Sequence, residues 1–411
     1  MDKVKVYEVK ISACIAEIKQ LDAIEIGLQV LPLLGVNLPA SPTHAEIQQT
    51  VKATAEALAG KSDEELLNLP PMIDEYKLAA LRIIASMTPA AAMAAPFLTP
   101  HMGCEEVNLL LEYGHSVFSP YAFADYAIVL NLVVRDFEAS YRYGCFAVDL
   151  FAHLNAQKIQ SAVLFKVAAF SVHGQQHLRL TQPLFAVGYQ SGLSNGDLAH
   201  SSYCAMEKCQ YAYFAGQELT ALEKEITNYS YVVAKNRQIT QLTWLNILQQ
   251  TVLNLLGKSE NALVLIGEAF RDAQMLHILE VAKDRFSMHE IYLHQTFLYY
   301  LFGASQMALI NAVKAEESLD TCVGLINEPV FYYYDSLVRL SVPDVATGAG
   351  LLKVEKNQVQ LKKWADVAPM NYQHKYDLVE AEKARVLGNT VAAMDLYDRA
   401  IKGAKENEYI N

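Results

Sequence analysis

Basic residues are scarce in this 411-residue chain: 33 Lys and Arg stand against 45 Asp and Glu, for a formal net charge of −12. No stripe of Lys and Arg gathers anywhere along it, which excludes the phosphate-reading footprint of a nucleic-acid-binding protein. Charge of either sign is thin, at 19% of residues, while hydrophobic residues make up 52%. That supply of apolar surface rules out a disordered chain and predicts elements that bury more than one face. Cysteine is sparse and scattered: of Cys14, Cys104, Cys145, Cys204, Cys209 and Cys322, only Cys204 and Cys209 lie close together. Such usage suits a reducing compartment, with thiols serving as small buried hydrophobes.

Long uninterrupted apolar runs are missing as well. The stretch 78–102 carries Arg82 and three prolines, and 120–134 is too short for a bilayer and includes Asp125. Both read as buried helices. The opening MDKVKVYEVKISACIAEI alternates charge with apolar residues and builds no signal-peptide core. A cytoplasmic chain with no membrane insertion is the expectation.

What is present is helical periodicity, with Gly and Pro mostly between the periodic segments. Thr43 with Glu46, and Ser62 with Glu65, have the spacing of capping boxes. The pattern predicts helices over 4–18, 21–34, 44–59, 63–68, 74–94, 104–113, 120–134, 136–154, 158–191 and 197–213. It continues with 216–232, 238–256, 262–282, 286–302, 305–325, 329–340, 351–366, 372–387 and 390–405.

Near the C-terminal end, KARVLGNTVAAMDLYDRAIKGA sets Gly388, Ala393, Tyr397, Ala400, Ile401 and Ala404 at characteristic offsets. Matching offsets recur at Gly303, Ala308, Ala312, Ala315 and Leu319, at Ala23, Gly27, Val30, Leu31 and Leu34, and at Ala199, Tyr203 and Met206. Small residues at a helix crossing let two backbones approach, and a glycine after the first helix supplies the positive φ of its turn. These are the requirements of a tetratricopeptide hairpin, whose repeat is about 34 residues long. The irregular spacing here makes the repeats degenerate. The expected fold is all-α, a superhelix of degenerate tetratricopeptide-like hairpins forming one elongated region over 1–411, with a sub-boundary near 257–262. The last helix should show an apolar face.

Catalytic motifs are weak throughout. His173 and His177 in HGQQH share a helical face and could hold a metal ion, but Gln-Gln stands where a metalloprotease places its Glu base. Histidines hydrogen-bonded to neighbours are the simpler reading. His289 and His294 are five apart and point in different directions, and Cys204 and Cys209 have neither zinc-knuckle nor redox spacing. GYQSG places its serine one position late for a nucleophile elbow, and TGAGLLK lacks the second half of a phosphate loop. No catalytic, cofactor-binding or metal residue is assigned. Tyr332, Tyr333 and Tyr334 in VFYYYDS are different: successive helical residues turn by about 100°, so they cannot all face one seam. Packing between adjacent hairpins is the plain reading, and a partner-binding surface the functional one.

The segments LPPMIDEYKLAALRIIASMTPAA, VNLLLEYGHSVFSPYAFADYAIVL, YRYGCFAVDL, LSNGDLAHSSYCA, FAGQELTALEKEI and HKYDLVEAEKARVLGN, taken in order, resemble one family. It is the helical region of large bacterial multidomain signalling proteins. Those join a serine/threonine kinase-like domain and a P-loop signal-transduction ATPase to tetratricopeptide-like repeats, a GAF sensor and usually a histidine kinase. The resemblance runs from about residue 10 to the end, and implies a fragment of a longer chain. It departs from the family pattern at His115 in YGHS, where Asn would be expected. No position matches the family's catalytic residues. The resemblance implies a non-enzymatic scaffold linking ATPase and sensor modules, with a protein partner or flanking domains of its own chain. The alternatives are a small-molecule effector sensor, suggested by 23 Tyr and 11 His, and, more weakly, a metal-dependent enzyme using His173 and His177.

Overall fold

The computed structural model describes residues 2–17 and 19–409. Among them the chain is all-α. Its helices are α1 (Asp2–Ala16), α2 (Gln20–Val30), α3 (His44–Leu58), α4 (Asp63–Leu67), α5 (Glu75–Ala94), α6 (Thr99–Tyr113), α7 (Ser119–Val129), α8 (Phe137–Leu154), α9 (Gln160–Phe170) and α10 (Thr181–Asn195). They continue as α11 (Leu198–Phe214), α12 (Leu219–Lys235), α13 (Ile239–Leu255), α14 (Asp272–Ala282), α15 (Arg285–Leu301), α16 (Ser305–Glu316), α17 (Asn327–Ser341), α18 (Ala349–Val367), α19 (Pro369–Val386) and α20 (Thr390–Glu406). Two compact units divide the chain, Met1–Val167 and Ala168–Asn411. None of the described helices is long and apolar enough to cross a membrane.

In the first unit both capping boxes form as the spacing predicts. Thr43 accepts from the Glu46 N–H while the Glu46 carboxylate takes the Thr43 N–H, and Ser62 with Glu65 does the same. The run 78–102 folds as α5 and the start of α6, and α7 is buried around most of its circumference. Between α4 and α5 the chain is pinned to the α6–α7 turn. His115 N–H donates to Pro70 O and His115 O accepts from Met72 N–H, each at 2.7 Å. The His115 ring, buried to 5% exposure, bridges Leu66 O at 2.8 Å and the Ser119 hydroxyl at 3.0 Å. His115 is thus a structural clamp. Gly114 makes the clamp possible: its φ is +98°, and a Cβ there would lie 2.0 Å from Pro70 O. Gly114→Ala should therefore lower stability by about 2 kcal/mol, read as a shifted thermal transition.

In the second unit the odd-numbered helices from α11 to α19 each pack on the next odd one, and α12, α16, α18 and α20 pair with them as hairpins. The predicted small residues sit at these crossings: Ala308, Ala312 and Ala315 are fully buried, and Ala393 and Ala400 nearly so. Gly303 and Gly388 take positive φ at equivalent turns, 78° and 79°. Ala199, by contrast, faces solvent and belongs to no crossing. The last helix, α20, exposes Val391, Met394 and Ile401, the apolar face expected of it.

Three predicted helices are corrected, of which 305–325 ends as α16 at Glu316 and is followed only by a 3-10 turn, Leu319–Cys322. The span 158–191 is broken between α9 and α10, with short 3-10 turns at Val172–Gly174 and Leu178–Leu180. Asn371 at the start of α19 holds the break open. Its amide donates to His173 O and Gln176 O, and its side-chain oxygen accepts from Leu178 N–H. The span 262–282 is helical only over α14. Asn254 donates to Ala262 O and Val264 O, and Gln250 accepts from Ala269 and Phe270 N–H, so two α13 side chains replace the missing helical bonds.

Candidate functional site

An open groove of about 750 Å³ in the first unit lies between α3 with its following turn and the α7–α8 corner. Its floor is apolar: Val51 and Leu58 come from α3, and Tyr126 and Leu130 from the far wall. Val134, 46% exposed, continues the apolar wall to the rim. The corner is a π-helical turn, Leu130–Val134, ended by Arg135 at φ +60°. A π turn widens the helix and re-aims its side chains, a device frequent at binding sites. Lys52, Lys61 and Arg142 stand on the rim against a single acid, Asp136. Asp63 holds the Arg142 guanidinium at 2.6 Å, which fixes its position and keeps its pKa above the ordinary value. Glu56 lies 3.8 Å from Lys52, so among the lining residues three cations face one acid while Asp63 and Glu56 stand just outside the lining beside two of them.

Below the same unit's surface lies a charged trio. Lys166, 5% exposed, is paired with Asp125 and sits over the Tyr121 ring at 3.3 Å. Glu106 is beside them, with burial and then the Asp125 charge pushing its carboxyl well above the usual range. Burial lowers the Lys166 ammonium, against the pull of both carboxylates.

The interior of the odd-helix stack holds a second polar concentration. Glu207 and Gln210 come from α11, His289, Glu290 and His294 from α15, Cys322 from the segment after α16, and Asn327 from α17. All are buried. Gln210 donates to Glu290 at 2.9 Å, and Asn327 donates to its other oxygen. Burial, then the nearby Glu290 charge, raises the Glu207 carboxyl to about 8.

His173 and His177 do not come together as a metal pair. His173 donates from Nε2 to Gly324 O at 2.9 Å and accepts at Nδ1 from the Tyr372 hydroxyl at 2.7 Å, stacked on Trp364. His177 accepts from Arg179 N–H and donates to Asn407 O, so both rings spend both nitrogens on the protein. Tyr332, Tyr333 and Tyr334 are half-buried. Tyr333 packs on the core of Leu337, Leu340, Val354 and Val379, while Tyr334 crosses to Phe297 of α15 at 4.3 Å.

Across 99% of its length, and 99% of the other chain, the protein is similar to a crystal structure of a Rap protein complexed with Competence and Sporulation Factor. The TM-score is 0.57 at 12% sequence identity. The fold is a tetratricopeptide-like helical repeat. At that identity the likeness is one of architecture. The chain matches no protein-family model and no curated protein.

The groove was not legible in the sequence, because its walls are about 80 residues apart and no motif marks either. The interior cluster is not legible in the sequence either. The sequence shows His289 and His294 five apart and so pointing in different directions, and Glu207, Gln210, Cys322 and Asn327 come near them only through the stacking of α11, α15 and α17.

Proposed function

We propose that this chain is a non-catalytic regulatory scaffold, which binds an acidic amphipathic protein segment in the groove between α3 and the α7–α8 corner. The single observation behind this is an apolar floor edged by Lys52, Lys61 and Arg142, with Asp136 the one acid among the lining residues, in an acidic protein. Such a rim steers an acidic partner and suppresses basic ones, while the apolar floor takes the partner's hydrophobic side chains. The setting suggested by the family resemblance is a multidomain signalling kinase. There the occupant would be a flanking segment or a partner of the ATPase and sensor modules, and occupancy would bias how those modules work together. Tyr332, Tyr333 and Tyr334 make a poorer docking surface, since each is half-buried within its own unit.

A fluorescent helical peptide with leucines on one face and glutamates on the other should bind, while its lysine counterpart should not. Lys52→Glu combined with Lys61→Glu should weaken the acidic peptide about tenfold or more, with an affinity that falls as salt rises. Equal binding of both peptides, or binding untouched by the double reversal, would sink the groove reading.

A further inference from the structure

We propose that His289, Glu290 and Cys322 form a binding site for a divalent metal ion of the zinc class inside the second unit. One donor atom from each lies within 4.8 Å of the other two, and all three residues are buried. The histidine is arranged as a ligand. Its Nδ1 donates to Ala315 O at 2.8 Å, which fixes the tautomer and leaves the Nε2 lone pair available. That Nε2 is enclosed and has no hydrogen-bond partner among the described residues. An orphaned ring nitrogen in a fully buried site is costly unless something coordinates it.

Charge points the same way. Glu290 carries its charge in the interior, with the His294 ring 3.6 Å from one of its oxygens and Glu207 near enough to feel it. Cys322 feels Glu290, Glu207 and Glu328, all acidic. A divalent cation would supply the missing positive charge. The donor set of one nitrogen, one oxygen and one sulfur selects a borderline ion such as zinc over calcium or magnesium, which take oxygen ligands. On binding, the Cys322 thiol gives its proton to solvent and its sulfur pair to the metal. Gln210 and Asn327, already donating to Glu290, hold that carboxylate in place. His294 Nε2, 3.6 Å from a Glu290 oxygen and without a hydrogen-bond partner among the described residues, is a candidate for a fourth ligand. Because Cys322 follows α16 and the other two ligands sit on α15, the ion would tie one hairpin's return segment to its first helix. This inference is independent of the groove, which belongs to the other unit.

The test uses the whole chain, stripped with a chelator and titrated with cobalt(II). One ion per chain should bind, giving visible d–d bands and a thiolate-to-cobalt charge-transfer band in the near ultraviolet. Cys322→Ser should abolish the charge-transfer band, and His289→Ala should weaken binding about 100-fold. Cys209→Ser, which alters a buried cysteine outside the trio, should change neither. Circular dichroism checks that each variant is folded, and Glu290→Gln replaces any that is not, with the same loss of affinity expected. Absence of stoichiometric cobalt, or a charge-transfer band that survives Cys322→Ser, overturns the proposal.

Discussion

Lys166→Met is expected to destabilise the first unit by about 3–5 kcal/mol, the usual result of removing one partner from a buried ionic cluster. Lys166 is the cation beside two enclosed carboxyl groups, and one oxygen of each, Glu106 Oε2 and Asp125 Oδ2, lacks a hydrogen-bond partner among the described residues. Without the ammonium, both acids would face each other in a low-dielectric interior. The loss should appear as a fall of about 10 °C in the thermal transition. Replacing the whole trio, as Lys166→Met with Asp125→Asn and Glu106→Gln, should recover most of it, because the desolvated charges leave together. A triple variant as unstable as the single one would mean that the lysine's stem, rather than its charge, holds the site.

Acid should destabilise the second unit through His173. Burial holds its folded pKa at about 4, below the ordinary 6.5. Above about pH 6.5 the ring is neutral in both states and nothing is lost. Between 6.5 and 4 the unfolded chain takes a proton that the folded chain refuses, so stability drops as pH falls, by roughly 3 kcal/mol in all. His374, lowered to about 2 by burial and then by the charges of Lys375 and His177, adds in the same direction. Glu207 works with opposite sign: raised to about 8, it holds a proton when folded, so its contribution falls as pH rises from 4.5 towards 8. The informative quantity is therefore the difference between wild type and His173→Gln. That difference should shrink as pH drops from 6.5 to 4, because only the wild type carries the His173 penalty. A constant difference across that range would show that His173 titrates normally in the folded protein.

The helices and their starts were legible because they rest on local chemistry. Capping boxes at Thr43 and Ser62, the small residues of α16 and α20, and the glycines before α16 and α20 all act within one hairpin. Two of the corrections came where a distant side chain overrode the local pattern. Asn371 satisfies the backbone of 173–178 from nearly 200 residues away, and without it the apolar run 158–191 has every reason to continue as one helix. Gln250 and Asn254 do the same for 262–270 at shorter range. The aromatic run at Tyr332–Tyr334 had the converse problem. Its composition was conspicuous, but whether such rings meet solvent or Phe297 depends on how α15 and α17 stack. Functional geometry in a repeat protein arises between repeats, where a single sequence carries the weakest signal.

Hydrogen–deuterium exchange with and without the acidic amphipathic peptide tests the scaffold reading most directly. Protection confined to α3 with its following turn, and to the π turn and early α8, is the predicted result. Protection centred on α17 around Tyr332–Tyr334, or none at peptide concentrations that saturate binding, would contradict it.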